Sequence, residues 1–267
     1  MSRLNQFLNY DELPLWSAPF GLTLLETLKF KKGINILDIG SGAGFPLLEI
    51  AERFGKTVVA YGIDPSPDSV EMISEKIRLK GISNAVITKG VAEELPFPDC
   101  FFGLIVSNNG INNVQDEKKA LTECERVLGD SGQMVFTMNL PHTFIEFYEV
   151  FEQVLQEHGL TGEVEKMKDH IHSKRKSVEY WKRIIEEVGF TIRSINVDGF
   201  KMRFSDGTTF LEHYFIRTAF RKPWEDIAGP EIVHAIEDKL NRLAASDGEI
   251  IMSVPYACFD CSKAGHL

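Results

Sequence analysis

Short apolar runs alternate, along the first half of the chain, with stretches whose apolar residues recur every three or four positions. Ile34, Ile36, Leu37 and Ile39 form the first run, and Val58, Val59, Ala60, Tyr61, Gly62 and Ile63 form the second. Further runs cover residues 85–88, 101–106 and 134–138. Runs this short and this apolar fit strands buried on both faces. Ser66-Pro67-Asp68 opens a helix with a cap, a proline at the first position and an acid in the first turn. Val70, Ile73 and Ile77 give that helix its apolar face, and Gly81 closes it. Ala120, Leu121, Cys124, Val127 and Leu128 make a second helical stripe, stopped at Gly129. Strand and helix in strict alternation predict an α/β, doubly wound, mostly parallel sheet.

Beyond residue 140 the texture changes. Thr143 and Glu146 read as a capping box for a helix carrying Phe144, Phe147, Phe151 and Leu155. A basic, histidine-containing segment runs from Lys166 to Lys176 and reads as a solvated face, with recognition of an anionic substrate the sharper alternative. Val178, Trp181, Ile185 and Val188 mark a further helix, ended by Gly189. Residues 191–197 and 249–254 complete a seven-stranded sheet, and residues 210–220 and 232–243, the latter behind Pro230, read as inserted helices. The expected organisation is therefore an N-terminal helical cap segment (1–33), a sheet domain (34–200 and 247–257) and a helical insertion (201–246).

Composition changes this picture little. A chain of 267 residues, 43% hydrophobic and 25% charged, buries one substantial core. A net charge of −10 argues against nucleic acid as a partner. With no apolar stretch of about 18 residues and no charged-then-apolar leader, the expectation is a cytoplasmic protein without a membrane partner. Four scattered cysteines do not make a disulfide scaffold, and Cys258 and Cys261, with His266 nearby, lack the second ligand pair that a zinc site needs. They are expected to be ordinary thiols, and no metal is expected.

The chemistry is concentrated in Asp38-Ile39-Gly40-Ser41-Gly42-Ala43-Gly44, which joins the first strand to a helix. Glycine there permits positive φ and close ligand approach, and a helix start offers free N–H groups. Asp64, twenty residues beyond Gly44, ends the second strand, where an acid accepts hydrogen bonds from a ribose. The unit therefore reads as nucleoside-binding. A dinucleotide fingerprint would need glycine at position 45, where Phe45 stands, and no Gly-Lys-Ser/Thr of a Walker loop follows.

A carboxylate two residues before a G-x-G-x-G turn resembles motif I of the class I S-adenosylmethionine-dependent methyltransferases. Gly90-Val91-Ala92-Glu93-Glu94-Leu95-Pro96-Phe97 is similar to the segment after the third strand in the methyltransferase-11 group, which includes enzymes of quinone and biotin synthesis. The resemblance covers residues 34–140 well and the remainder in outline. It implies a Rossmann-like fold, with the insertion and the aromatic N-terminal segment as a lid. S-adenosyl-L-methionine is then the cofactor, and S-adenosyl-L-homocysteine the product. Asp38, Gly40, Ser41, Gly42 and Gly44 would line its methionine half. Asp64 would hold the ribose, Pro65 would pack beside the adenine, Ala92 and Glu93 would border the adenine edge, and Ser107 and Asn108 would lie under the sulfonium. The chain departs from the group at Val91, where an aspartate usually meets the adenine amino group.

The resulting expectation is in-line methyl transfer to a small molecule. Candidates for acceptor contact are Trp16, Asn112, Tyr148 and Tyr214; candidates for catalysis are His142, Asn109 and His213. Structural explanations compete for each of them: turn chemistry for the asparagines, packing for the aromatics. Two other functions stand against this one, a noncatalytic S-adenosylmethionine-binding module and an NAD-type oxidoreductase.

Overall fold

The computed structural model describes residues 15–264. Among these, seven strands form one sheet: β1 (Asn35–Ile39), β2 (Val59–Asp64), β3 (Ala85–Lys89), β4 (Phe102–Asn108), β5 (Leu128–Asn139), β6 (Phe190–Phe204) and β7 (Ile250–Lys263). Their order is β3-β2-β1-β4-β5-β7-β6. The first five pair in parallel, and β7 runs antiparallel to β5. Chain order reverses between β1 and β4, the point at which open α/β sheets leave a crevice at the carboxyl ends of their strands.

Helix α1 (Ser17–Thr27) sends Leu24 and Leu25 into a cluster with Ile36, Leu104, Val106 and Val135 of the sheet and Ile50 of α2 (Leu47–Phe54). Burial of each such side chain contributes about 1.5–3 kcal/mol. Gln133 fixes the end of α1. Its carbonyl accepts the Lys29 N–H at 2.9 Å, and its amide donates to the Thr27 carbonyl at 3.1 Å and to Asp260 at 2.9 Å. Helix α3 (Pro67–Lys80) starts and stops where expected: the Ser66 hydroxyl accepts the Ser69 N–H, and Gly81 takes up a left-handed conformation. Helix α4 (Glu117–Val127) is capped by Asp116.

Later boundaries differ from expectation, for local reasons. β7 continues through Pro255 to Lys263, because β5 pairs with it from Met134↔Cys261 to Asn139↔Tyr256. Cys258 and Cys261 therefore lie three apart in one strand, on opposite faces, and cannot form a chelating pair. Burial pushes the Cys258 thiol up to about 11 and Cys261 higher still. His266 lies outside the described residues. β6 runs through Asp198-Gly199, which by composition reads as a turn. No capping box forms at Thr143 and Glu146. Thr143 donates instead to the Leu140 carbonyl at 2.8 Å, and Glu146 accepts from both the backbone and the hydroxyl of Ser253.

The chain divides into two compact units. The first holds the described residues up to Asn139, Val178–Val197, and those from Tyr256 onward. It contains α7 (Val178–Glu187), which follows α5 (Ile145–Glu157) and α6 (Thr161–Lys174) of the second unit along the chain. The second holds Leu140–Ser177 and Asp198–Pro255. This departs from the expected 201–246 insertion, because α5 turns its aromatic face to residues of its own unit. Phe147 stacks on Trp224 at 4.0 Å and meets Phe210 at 5.5 Å. The expected helix over 210–220 is broken at His213 into α8 (Gly207–Glu212) and α9 (Tyr214–Ala219). An unforeseen α10 (Arg221–Ala228) follows, its Pro223 in the first turn where no N–H is needed. Helix α11 (Pro230–Asp247) opens at Pro230 as expected.

Candidate functional site

Three glycines turn the chain out of β1: Gly40 at φ +72°, Gly42 at φ +53° and Gly44 at φ +100°. Gly40 is required twice over, since a Cβ there would also lie 2.7 Å from the Cα of Gly110 on the loop after β4. The N–H groups of Gly40 and Ser41 donate to the Ile63 carbonyl, at 2.9 and 3.3 Å. Asp64 fastens the turn: one carboxylate oxygen accepts the Gly42 N–H at 2.8 Å, the other the Ser66 N–H at 2.9 Å. Lys76, buried on α3, donates to the Ala43 carbonyl at 2.9 Å. Its position between Ile73 and Ile77 on an apolar face was the only sequence signal for this role.

Asp38 is fully buried at the base of the turn, and neither carboxylate oxygen has a hydrogen-bond partner. Burial raises its pKa to about 7, and the Asp64 charge adds to this, while nearby Ser41 and the Leu47 backbone act to lower it.

Facing the glycines is the loop after β4. Ser107 is fully buried, its hydroxyl donating to the Ile39 carbonyl at 2.9 Å and accepting the Ile111 N–H at 3.1 Å. It thereby ties β1 to this loop. Asn108 bridges elements too, donating to the Ser17 carbonyl at 3.1 Å and accepting from Thr137 at 2.9 Å. Asn109 adopts φ +59°, an unusual conformation for a residue with a side chain. Its side-chain Oδ1 accepts from Asn112 at 3.1 Å, and its Nδ2 is buried without a partner. Asn112 also donates to Asn139 at 2.8 Å. The third wall follows β3, where Glu93 accepts the N–H groups of Gln115 and Asp116 at 2.7 and 3.3 Å. Arg126 braces the same segment through the carbonyls of Leu95 and Phe97, at 3.0 and 2.8 Å.

These walls enclose a cavity of about 770 Å³, within the range of small-ligand sites. Of the expected residues, Trp16, Gly40, Gly42, Asp64, Pro65, Ala92, Glu93, Asn108 and Asn109 line it. Asp38, Ser41, Gly44, Ser107 and Asn112 support it without lining it. Val91 lines it in place of the usual aspartate. Gln115, Asp116 and Lys119, at the start of α4, also line it and were not foreseen, because nothing in their spacing sets them apart from an ordinary capped helix start. His142, Tyr148, His213 and Tyr214 belong to the second unit and are not among the lining residues. His142 is exposed, and His213 sits at the break between α8 and α9 with its ring 5.5 Å from Phe204. Tyr214 is 74% exposed, and Tyr148 is buried, its hydroxyl accepting from Trp224 at 3.1 Å.

The residues present suit S-adenosylmethionine. The orphaned Asp38 carboxyl group lies buried at the base of the turn, and a Cβ at Gly42 would come no nearer than 3.9 Å to its surroundings, leaving that backbone approachable. Phe45 occupies the position of a dinucleotide glycine, its ring so close to Gly21 of α1 that a Cβ there would lie 2.0 Å from it. A carboxylate-fastened glycine turn at the switch point of this sheet is a nucleoside-binding arrangement, and together with the family match it is that of a class I S-adenosylmethionine-dependent methyltransferase domain.

Residues 30–189, more than half of the chain, match the family described as methyltransferase domain, and the chain belongs to that family. It is 27% identical over 158 residues to the uncharacterized methyltransferase YcgJ of Bacillus subtilis, covering 59% of this chain and 57% of that one. Demethylmenaquinone methyltransferase of Anoxybacillus flavithermus is 26% identical over 149 residues, 56% of this chain and 61% of the relative. The alignments thus span little more than half of these curated relatives. The crystal structure of Bacillus subtilis YcgJ superposes with a TM-score of 0.62 at 20% identity, over 92% of this chain and 98% of that one, a likeness of fold. Among the described residues no helix is long and apolar enough to cross a membrane.

Proposed function

We propose that this protein transfers the methyl group of S-adenosylmethionine to a small-molecule acceptor. The observation that carries the reading is the Asp64–Gly42 tether, which holds the glycine turn open beside a buried, unpaired Asp38. When bound, S-adenosylmethionine supplies an activated sulfonium methyl. The chain's own work is then to bind, to orient and to keep water out, and positioning alone contributes about 7–11 kcal/mol in favourable cases. Asp38 and the glycine turn would hold the methionine half, Asp64 the ribose, and Pro65, Ala92 and Glu93 the adenine side, with Val91 offering only apolar contact. Asn109 would turn its unpaired Nδ2 toward the bound ligands, and Trp16 would cover them. The names of relatives such as demethylmenaquinone methyltransferase support a small acceptor, as does the acidic net charge of −10. The four free thiols suit a reducing compartment, so the reading includes a cytoplasmic setting.

Calorimetric titration with S-adenosylmethionine, S-adenosylhomocysteine and NAD tests the site, with Asp64→Ala alongside. Both adenosyl ligands should bind, and the variant should bind them about ten- to hundredfold more weakly, the loss of one charge-assisted hydrogen bond. Labelled-methyl transfer to a panel of small acceptors then tests turnover. Binding of NAD alone would sink the proposal, and tight adenosyl binding without transfer to any acceptor would favour a noncatalytic binding module.

A further inference from the structure

Arg175 follows directly after α6 and is only 3% exposed. Its guanidinium carbon lies 5.2 Å from the centre of the Tyr148 ring and 6.0 Å from that of Phe220. Nη1 is buried without a hydrogen-bond partner. Three carboxylates of the same unit are committed elsewhere: Glu152 to Lys168, Glu157 to Lys239 and Glu225 to Arg221. A guanidinium keeps its charge at any working pH, so it cannot relieve burial by losing a proton. The ring faces and the carbonyl end of α6 recover part of the cost. Neither accepts the Nη1 hydrogens, and proteins leave few such donors orphaned. The surroundings are otherwise aromatic, with the Phe220 ring 5.2 Å from Phe144 and 5.7 Å from Trp224.

From this we infer that Arg175 is the anion-recognising residue of a second binding site, built within the second unit, for a carboxylate borne on an apolar or aromatic body. One planar fork matches one carboxylate in bidentate geometry. A phosphate dianion calls for more positive charge than is offered. The neighbouring His170 does not add it, because burial, then the charges of Arg175 and Lys174, hold its pKa below the usual range. Tyr148 and Phe220 form the apolar floor, and the Trp224 N–H, donating to the Tyr148 hydroxyl, keeps that floor in place. The inference does not depend on methyl transfer, because binding here is read without S-adenosylmethionine.

The test titrates the full chain with benzoate, hexanoate, benzamide and inorganic phosphate by calorimetry, alongside thermal melts, for wild type, Arg175→Met and Arg175→Lys. The wild type should saturate with benzoate or hexanoate and ignore benzamide. Arg175→Met should weaken carboxylate binding about ten- to hundredfold while its melting temperature holds or rises, because a buried unpaired charge has been removed. Should Arg175→Met fold poorly, Arg175→Lys carries the comparison, keeping the charge and part of the affinity without the fork. Failure of both carboxylates to saturate the wild type overturns the inference and leaves Arg175 a packing residue. Equal binding of benzamide overturns it as well, by showing an aromatic slot blind to charge. Saturation by phosphate alone overturns it too, because the site would then select a different anion.

Discussion

Asp38 and Asp64 are both carboxylates at strand ends, yet their surroundings give them opposite duties. Asp64 spends its two oxygens on the Gly42 and Ser66 N–H groups, whereas Asp38 has no partner and is pushed up to about 7, chiefly by burial. A carboxyl whose folded pKa lies above the ordinary 3.8 holds its proton longer in the folded state than in the unfolded one. Between those two values the folded chain binds more protons, so this contribution to stability is present at low pH and is lost as pH rises through about 7. Urea unfolding across a pH series should show the wild type weakening over this interval and Asp38→Asn flattening the slope. Identical slopes in the two proteins would mean that Asp38 is paired in solution. Both acids were legible in the sequence, because a strand end before a glycine turn is a position with few structural uses. Their difference was not, since burial depends on the packing of α1 and α2 over β1.

At the level of elements, the junction of β1 with the β4 loop decides whether a cavity exists. Gly40 and Gly110 touch backbone to backbone, and Ser107 satisfies the Ile39 carbonyl and the Ile111 N–H together. Gly40→Ala would force a Cβ to within 2.7 Å of Gly110 and strain a φ of +72°. It should lower the melting temperature and abolish S-adenosylmethionine binding, whereas Gly55→Ala, also at positive φ but with no atom within 4 Å, should lower stability alone. Ser107→Ala should cost about 1–3 kcal/mol in chemical denaturation, because two buried backbone groups lose their partner. An unchanged midpoint would show that Ser107 is no brace. The turn itself could be read from its glycines, but the brace could not. A serine after a strand looks alike whether its hydroxyl faces a ligand or another loop, and only the third dimension brings Ile39 beside it. The same limit explains β6 and β7: Asp198-Gly199 and Pro255 carry turn signals that ladder pairing overrides.

For the molecule as a whole, alternating strands and helices made the sheet legible, while the partition into two units was not. Phe147 looks, in sequence, like part of any helix face destined for a sheet, and its partners Phe210 and Trp224 lie some sixty to eighty positions away. Trp224 is fully buried at the centre of that cluster, stacked on Phe147 and 5.7 Å from Phe220. Trp224→Ala should therefore cost about 3–5 kcal/mol of packing in the second unit. Trp224→Phe, which keeps most of the ring and loses the donor to Tyr148, should cost about 1 kcal/mol. Every residue lining the cavity belongs to the first unit, so S-adenosylmethionine affinity should be nearly unchanged in both variants. Hydrogen exchange should show lost amide protection in α5, α10 and α11 of Trp224→Ala, with β1, β2 and β4 still protected. A fall in cofactor affinity parallel to that loss would mean that the first unit does not hold its site on its own.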